Sequence, residues 1–180
     1  MTLGLGHGVD RIEALGRNAI VVGTDGRDLH FSPIGLGDEP FVAERYTRPG
    51  AAQGELRSHG FFYKAESDDA GTLGLPIRGA GRPGYEHLFR DSMSILFVRN
   101  DALRFSELGE LAPRTRGVTN DACRASCVDW YGNARPLFLR GRIFALLGYE
   151  LVEGQIARDR IEERRRVSFA PGRPAVAQVH

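Results

Sequence analysis

The stretch Ala19-Ile-Val-Val-Gly-Thr-Asp-Gly-Arg-Asp-Leu-His-Phe-Ser32 decides the fold class. An apolar run rich in β-branched residues meets a polar, Gly-containing turn and is followed by a second apolar run, which is the pattern of a β-hairpin. The pattern returns in Ser94-Ile-Leu-Phe-Val-Arg-Asn-Asp-Ala-Leu-Arg-Phe-Ser106 and in Pro136-Leu-Phe-Leu-Arg-Gly-Arg-Ile-Phe-Ala-Leu146. The first two copies align down to Leu29-x-Phe31-Ser32 against Leu103-x-Phe105-Ser106. Recurring sheet units of this kind predict blades of a β-propeller.

Working outward, Val9–Leu15, Ala19–Gly23, Leu29–Ile34 and Phe41–Tyr46 read as four strands. The connections between them are too short for anything but antiparallel neighbours. A second unit starts near Arg57–Lys64, continues through Thr72–Ile77 and closes with Ile95–Val98 and Leu103–Leu108. Between them the Gly- and Pro-rich stretch Arg78–Ser92 reads as a long loop, with a helical turn at Tyr85–Phe89. A third unit runs from Ser126–Tyr131 through Pro136–Leu139 and Ile143–Val152 to Arg160–Phe169. The expected fold is therefore all-β. One domain over residues 1–170 holds about three four-stranded antiparallel blade-like units (9–47, 57–111 and 126–169), a partial β-propeller, and residues 171–180 form a flexible tail. Closed propellers use about four to eight blades, so three units point to part of a larger ring, to one completed by another copy, or to a different all-β packing of the three units.

The 180 residues are 42% hydrophobic and 26% charged, and 24 basic against 23 acidic residues leave a formal net charge of +1. That balance gives no general attraction to nucleic acid. The one basic concentration, Arg158–Arg166, is broken by acids and reads as a solvated edge strand. No run approaches the roughly 18 apolar residues that span a bilayer, so an integral membrane protein is not expected. The opening Met1–Gly8 has no basic region, apolar stretch or cleavage site of a secretory signal, and taken alone it predicts a cytoplasmic chain.

Cys123 and Cys127 lie four positions apart, close enough for a local disulfide if the backbone turns, with free thiols or metal ligation as the other outcomes. Two thiols do not supply the four ligands of a structural zinc site, and no His pair or second Cys pair completes one. Neither Asp25–Asp28 nor Asp68–Asp69 has the acidic spacing of a calcium loop, and Asp side chains of this kind stabilise turns. The Gly-rich segments Gly4–Gly8 and Gly79–Gly84 sit in no strand-to-helix context that would cradle a phosphate. No metal or cofactor is expected.

Glu55, Arg57, Ser58 and His59 bring together an acid, a guanidinium, a hydroxyl and an imidazole, residue types used in hydrolase or lyase chemistry. If this segment is a strand, however, Ser58 and His59 point to opposite faces. Trp130 and Tyr131 beside Asn133 and Arg135 form an aromatic platform with polar neighbours suited to a peptide, carbohydrate or protein ligand.

The segments Gln53–Tyr63, Gly71–Ile77, Cys123–Leu139 and Phe144–Gly154 resemble the C-terminal part of bacterial, myxobacterial-type β-propeller lipoproteins of unassigned function. Cys127-Val-Asp-Trp-Tyr-Gly-Asn133 is the most specific piece. The resemblance implies a non-enzymatic binding or scaffold module at the cell envelope or exterior, a compartment that suits a Cys123–Cys127 disulfide. It brings no catalytic residue set. The alternatives are a hydrolase or lyase around Glu55, Arg57 and His59, and a piece that completes a ring with a partner chain.

Overall fold

The computed structural model describes residues 2–79, 93–114 and 134–169. The described residues are all-β, without an α-helix. The first sheet holds β1 (Arg11–Leu15), β2 (Asn18–Thr24), β3 (Leu29–Gly35), β4 (Phe41–Val42) and β5 (Tyr46–Arg48). The second holds β6 (Ala51–Gln53), β7 (Phe62–Ala65), β8 (Ala70–Gly79), β9 (Met93–Asp101) and β10 (Arg104–Leu111). The third is a four-stranded meander of β11 (Ala134–Leu139), β12 (Arg142–Leu147), β13 (Glu150–Ala157) and β14 (Arg160–Ser168). Every pairing is antiparallel.

In the first two sheets, two short strands share one position. β4 and β5 both pair with β3, β4 opposite Ile34 and Gly35 and β5 opposite Leu29–Phe31. β6 and β7 both pair with β8, β6 opposite Ile77–Gly79 and β7 opposite Gly71–Gly74. Proline causes both breaks. The Pro33 carbonyl accepts a 2.9 Å hydrogen bond from Ala43 N, and the Pro76 carbonyl accepts one of 2.9 Å from Gly54 N. In an antiparallel ladder a residue's N–H and C=O face the same neighbour. Each proline therefore offers half a pair where a full one is needed, and the outer strand leaves the ladder at that point.

The three sheets stack face to face, with the second in the middle. Leu96 and Val98 of β9 join Leu73, Leu75 and Ile77 in a core shared with Ile20, Val22, Leu29 and Phe31 of the first sheet. Ile95 and Phe97, the alternate residues of β9, pack instead with Ile143, Ala145, Val152 and Ile161 of the third sheet. A strand buried on both faces needs an unbroken apolar run, which is the reason for Ile95-Leu-Phe-Val98.

The outer face of the first sheet is roofed by the segment before β1. Half-buried Leu3, Leu5 and His7 alternate with exposed Gly4, Gly6 and Gly8. Gly8 N and Asp10 N donate to Thr24 O and Val22 O, both at 3.0 Å. Beneath this strap, Val21, His30, Ser32 and Ile34 are buried.

Several strand expectations change. Ile143–Val152 is two strands, because Gly148 at φ +61° turns the chain between β12 and β13. The stretch around Ser58–Gly60 is a 3₁₀ turn between β6 and β7, and β6 already pairs with β8 before position 57. The three hairpin copies are real hairpins at non-equivalent places: strands two and three of the first sheet, three and four of the second, one and two of the third. Alternation with a tight turn marks any hairpin, whatever its place in a sheet. Arg160–Ser168 is an edge strand, as its position at the end of the third unit implied. Arg78 and Gly79 extend β8; the rest of the expected loop to position 92, with its helical turn, lies outside the described residues, as do the strand at 126–131 and the tail.

Candidate functional site

The loop that bridges β6 and β7 gathers Glu55, Arg57 and His59. Residues 54–61 cross a gap that β8 spans with Leu75 and Pro76 alone, so the loop bulges from the sheet. Glu55 is 5% exposed. Arg57 donates to Glu55 Oε1 from its backbone N at 2.8 Å and from Nε at 3.0 Å, and to Oε2 from Nη2 at 2.9 Å. His59 Nε2 lies 3.7 Å from the same Oε2, too long for a hydrogen bond, and is buried without one among the described residues. Gly60 closes the turn over the acid: a Cβ there would come 2.8 Å from Glu55 Cγ. Burial pushes the Glu55 carboxyl up, but the hydrogen bonds and charge of Arg57 outweigh it and hold it below the usual range.

Arg11 of β1 locks this loop to the first sheet. It is 7% exposed, and its Nη2 donates to Glu55 O at 3.1 Å and Arg57 O at 3.0 Å. Its guanidinium lies 5.9 Å from the Phe61 ring centroid. A carboxylate held ionised with its oxygens already paired has little basicity to offer a substrate. The cluster of Arg11, Glu55 and Arg57 joins two sheets. Ser58 is exposed, on the turn between Arg57 and His59.

A second polar cluster, which sequence reasoning missed, sits under the strap. His7 Nδ1 donates to Gly8 O at 2.6 Å, which leaves Nε2 to accept from Ser32 Oγ at 2.8 Å. The His7 and His30 rings lie 5.0 Å apart. His30 in turn meets Thr47 Oγ1 at 3.0 Å and Asp25 Oδ2 at 3.1 Å. Asp25 accepts from Asp28 N and Arg27 N, and these bonds together with His30 hold its carboxyl far below the usual range. The Asp25–Asp28 turn thus uses its acid on its own backbone, as an Asx turn does. Ser32 is 1% exposed, so the Ser–His pair fastens the strap and has no substrate access.

An opening lies where the turns of the first two sheets meet. It is a cleft of about 530 Å³ lined by Arg17, Asn18, Leu36, Phe41, Asp69 and Leu103 among others. Arg17 Nε and Nη2 donate to Asp69 Oδ1 and Oδ2, both at 3.0 Å. Asn18 Oδ1 accepts from Leu36 N at 3.2 Å and fixes the loop that carries Leu36. Leu36 and Phe41 are 53% and 54% exposed, large apolar surfaces beside a planar ion pair. The signal in the sequence was the pair of turns, Gly16-Arg17-Asn18 and Asp68-Asp69, whose meeting depends on how the sheets stack.

Of the other predicted site residues, Arg135 is exposed on β11. Trp130, Tyr131, Asn133, Cys123 and Cys127 lie outside the described residues. No group of His, Cys, Asp and Glu among the described residues is arranged to hold a metal ion. No helix among them is long and apolar enough to cross a membrane. Comparison with protein-family models, with curated proteins and with solved structures finds no match.

Proposed function

We propose that this chain is a non-enzymatic binding or scaffold module, a run of three blade-like units from a partial β-propeller of the cell envelope, with the cytoplasm as the alternative compartment. The cleft at the turns of the first two sheets carries the reading. It has the volume of a ligand site, an exposed aromatic ring on Phe41, and in Arg17–Asp69 both donors and acceptors held in one plane. Rigid sheets with binding groups on their turns are the usual division of labour in such folds. The locked state of Glu55 supports a structural role for the Glu55, Arg57 and His59 cluster. A peptide or carbohydrate is the ligand class that suits a flat aromatic and a planar ion pair.

The test is to probe immobilised saccharide and peptide panels with the full chain and with Phe41→Ala and Arg17→Ala. A ligand that binds the parent chain and binds both variants at least tenfold more weakly, with unchanged circular dichroism, supports the reading. Equal binding by all three, or none by any, removes the cleft as the contact site.

A further inference from the structure

We infer that the outer face of the third sheet receives the outer side of the first sheet from a second copy of this chain, so that copies join head to tail. This goes beyond the binding reading and does not depend on the cleft.

The chain builds its own two sheet contacts by one rule: an apolar centre closed at the rim by arginine–carboxylate pairs. Between the first and second sheets, Arg17 meets Asp69 at 3.0 Å, and Arg48 meets Glu107 at 3.0 Å and also Glu110. Between the second and third, Arg99 meets Asp159 at 2.7 Å and Arg114 meets Glu163 at 3.0 Å. The outer face of the third sheet offers the same parts without a partner sheet among the described residues. Phe144, Leu151 and Val167 line a groove of about 260 Å³ together with Arg142, Glu153 and Arg165. Leu139, on the same face, is 61% exposed and Val167 43%. Arg142 is spent on Glu153, at 2.9 and 2.7 Å, whereas Arg165, whose charge also acts on Glu153, makes no ion pair within 4.0 Å among the described residues.

At the opposite end of the stack, β1 and the strap leave Val9 55% and Ile12 65% exposed, with the Asp25 carboxylate on the same side. The two ends differ in charge. Residues 2–48 carry seven carboxylates against five arginines, and residues 134–169 five carboxylates against eight arginines. Two third sheets facing each other would set one net-positive sheet on another, whereas third sheet on first sheet sets net positive on net negative. The contact is heterologous, so copies add in one direction until they close a ring or continue as a filament.

The experiment uses light scattering over a concentration series, with Ile12→Asp to spoil the first-sheet end and Val167→Asp to spoil the third-sheet end. The parent chain is expected to gain mass with concentration, and to associate at least tenfold more weakly in about 1 M salt, where the Debye length is about 3 Å. Each variant alone is expected to stay monomeric, while an equimolar mixture forms one-to-one dimers, because each supplies the end that the other lacks. A parent chain that stays monomeric throughout overturns the proposal. So does an Ile12→Asp variant that still pairs with itself, which would mean third sheet on third sheet, or a mixture that remains monomeric. If Val167→Asp does not fold by circular dichroism, Leu139→Asp takes its place.

Discussion

Pro136 of β11 lies directly against Gly74 of β8, so close that a Cβ on Gly74 would sit 2.5 Å from Pro136 Cβ and 3.2 Å from Phe97 Cε1. Here the ring of Pro136 from the third sheet rests on the bare backbone of the second. Gly74→Ala forces them apart, and the expected cost is about 1–3 kcal/mol, the range for overpacking a filled core. Urea unfolding followed by circular dichroism checks it: a lower midpoint at unchanged slope is expected, and an unchanged midpoint contradicts the contact.

Phe97 is fully buried between those two sheets and meets Phe138 edge-on at 6.2 Å. Phe97→Ala is expected to cost about 3–5 kcal/mol, since a large cavity opens between layers that cannot both collapse into it. Phe97→Leu is expected to cost less. Equal losses for the two would show that the site tolerates a void, contrary to this packing.

Arg140 and Gly141 form the turn between β11 and β12 with φ of +50° and +75°. A two-residue hairpin with both central residues left-handed favours Asn-Gly. Arg140→Asn is therefore expected to stabilise the chain by about 0.5–1 kcal/mol, because the strain of a left-handed arginine is relieved. Thermal unfolding reads this as a small rise in Tm; a fall would place the side chain of Arg140 in an unseen contact.

Acid weakens the fold through its paired carboxylates. The Glu153 carboxyl is held below its ordinary value by hydrogen bonds from Arg142, and Glu163 by those from Arg166. At Glu55 burial acts upward, but Arg57 prevails. A group with a depressed folded pKa stabilises the fold fully above its unfolded value, here 4.5, and loses that contribution as pH falls through the folded value. Stability from these groups is expected to be level from neutral pH down to about 5 and to decline below that. Glu55→Gln should make the decline shallower, and denaturant midpoints measured against pH test both statements.

The strap should loosen when its fastening is removed. His7→Ala deletes the bond to Ser32 Oγ, a net loss of about 1 kcal/mol. The amides of Gly8 and Asp10, which hold the strap to β2, are expected to exchange with solvent several-fold faster while those of β9 do not change. Unaltered exchange at Gly8 would detach His7 from that role.

The core strands were legible because apolar runs mark them, whereas the stacking of their sheets was not. Ile95-Leu-Phe-Val98 has no polar face, and Ile20 and Val22 alternate with a residue that the strap covers. The broken strands were not read, although Pro33 and Pro76 announce them: a proline inside a strand tells more about its neighbour than about itself. β6 was missed because three residues, Ala51–Gln53, carry no period of their own and pair only because β8 is long enough to serve two partners. The turn at Gly148 was hidden because both flanking runs are apolar and the hairpin needs only two residues. The pairing of His7 with Ser32, and the meeting of Arg17 with Asp69, depend on contacts across 25 and 52 positions, which no local pattern encodes.

The proline breaks also govern how these sheets can fail. An unbroken edge strand is a template for aggregation, since its free N–H and C=O groups recruit any extended chain. Here β4 and β5, or β6 and β7, divide such an edge into lengths of two to four residues. β10 is kinked by a bulge at Glu107–Gly109, β11 carries Pro136, and β14 has a bulge opposite Glu153–Gly154 amid a dense run of charges. Growth by adding strands is hindered at these five edges, which leaves β1 as the one edge strand among the described residues with neither a break, a bulge nor a proline.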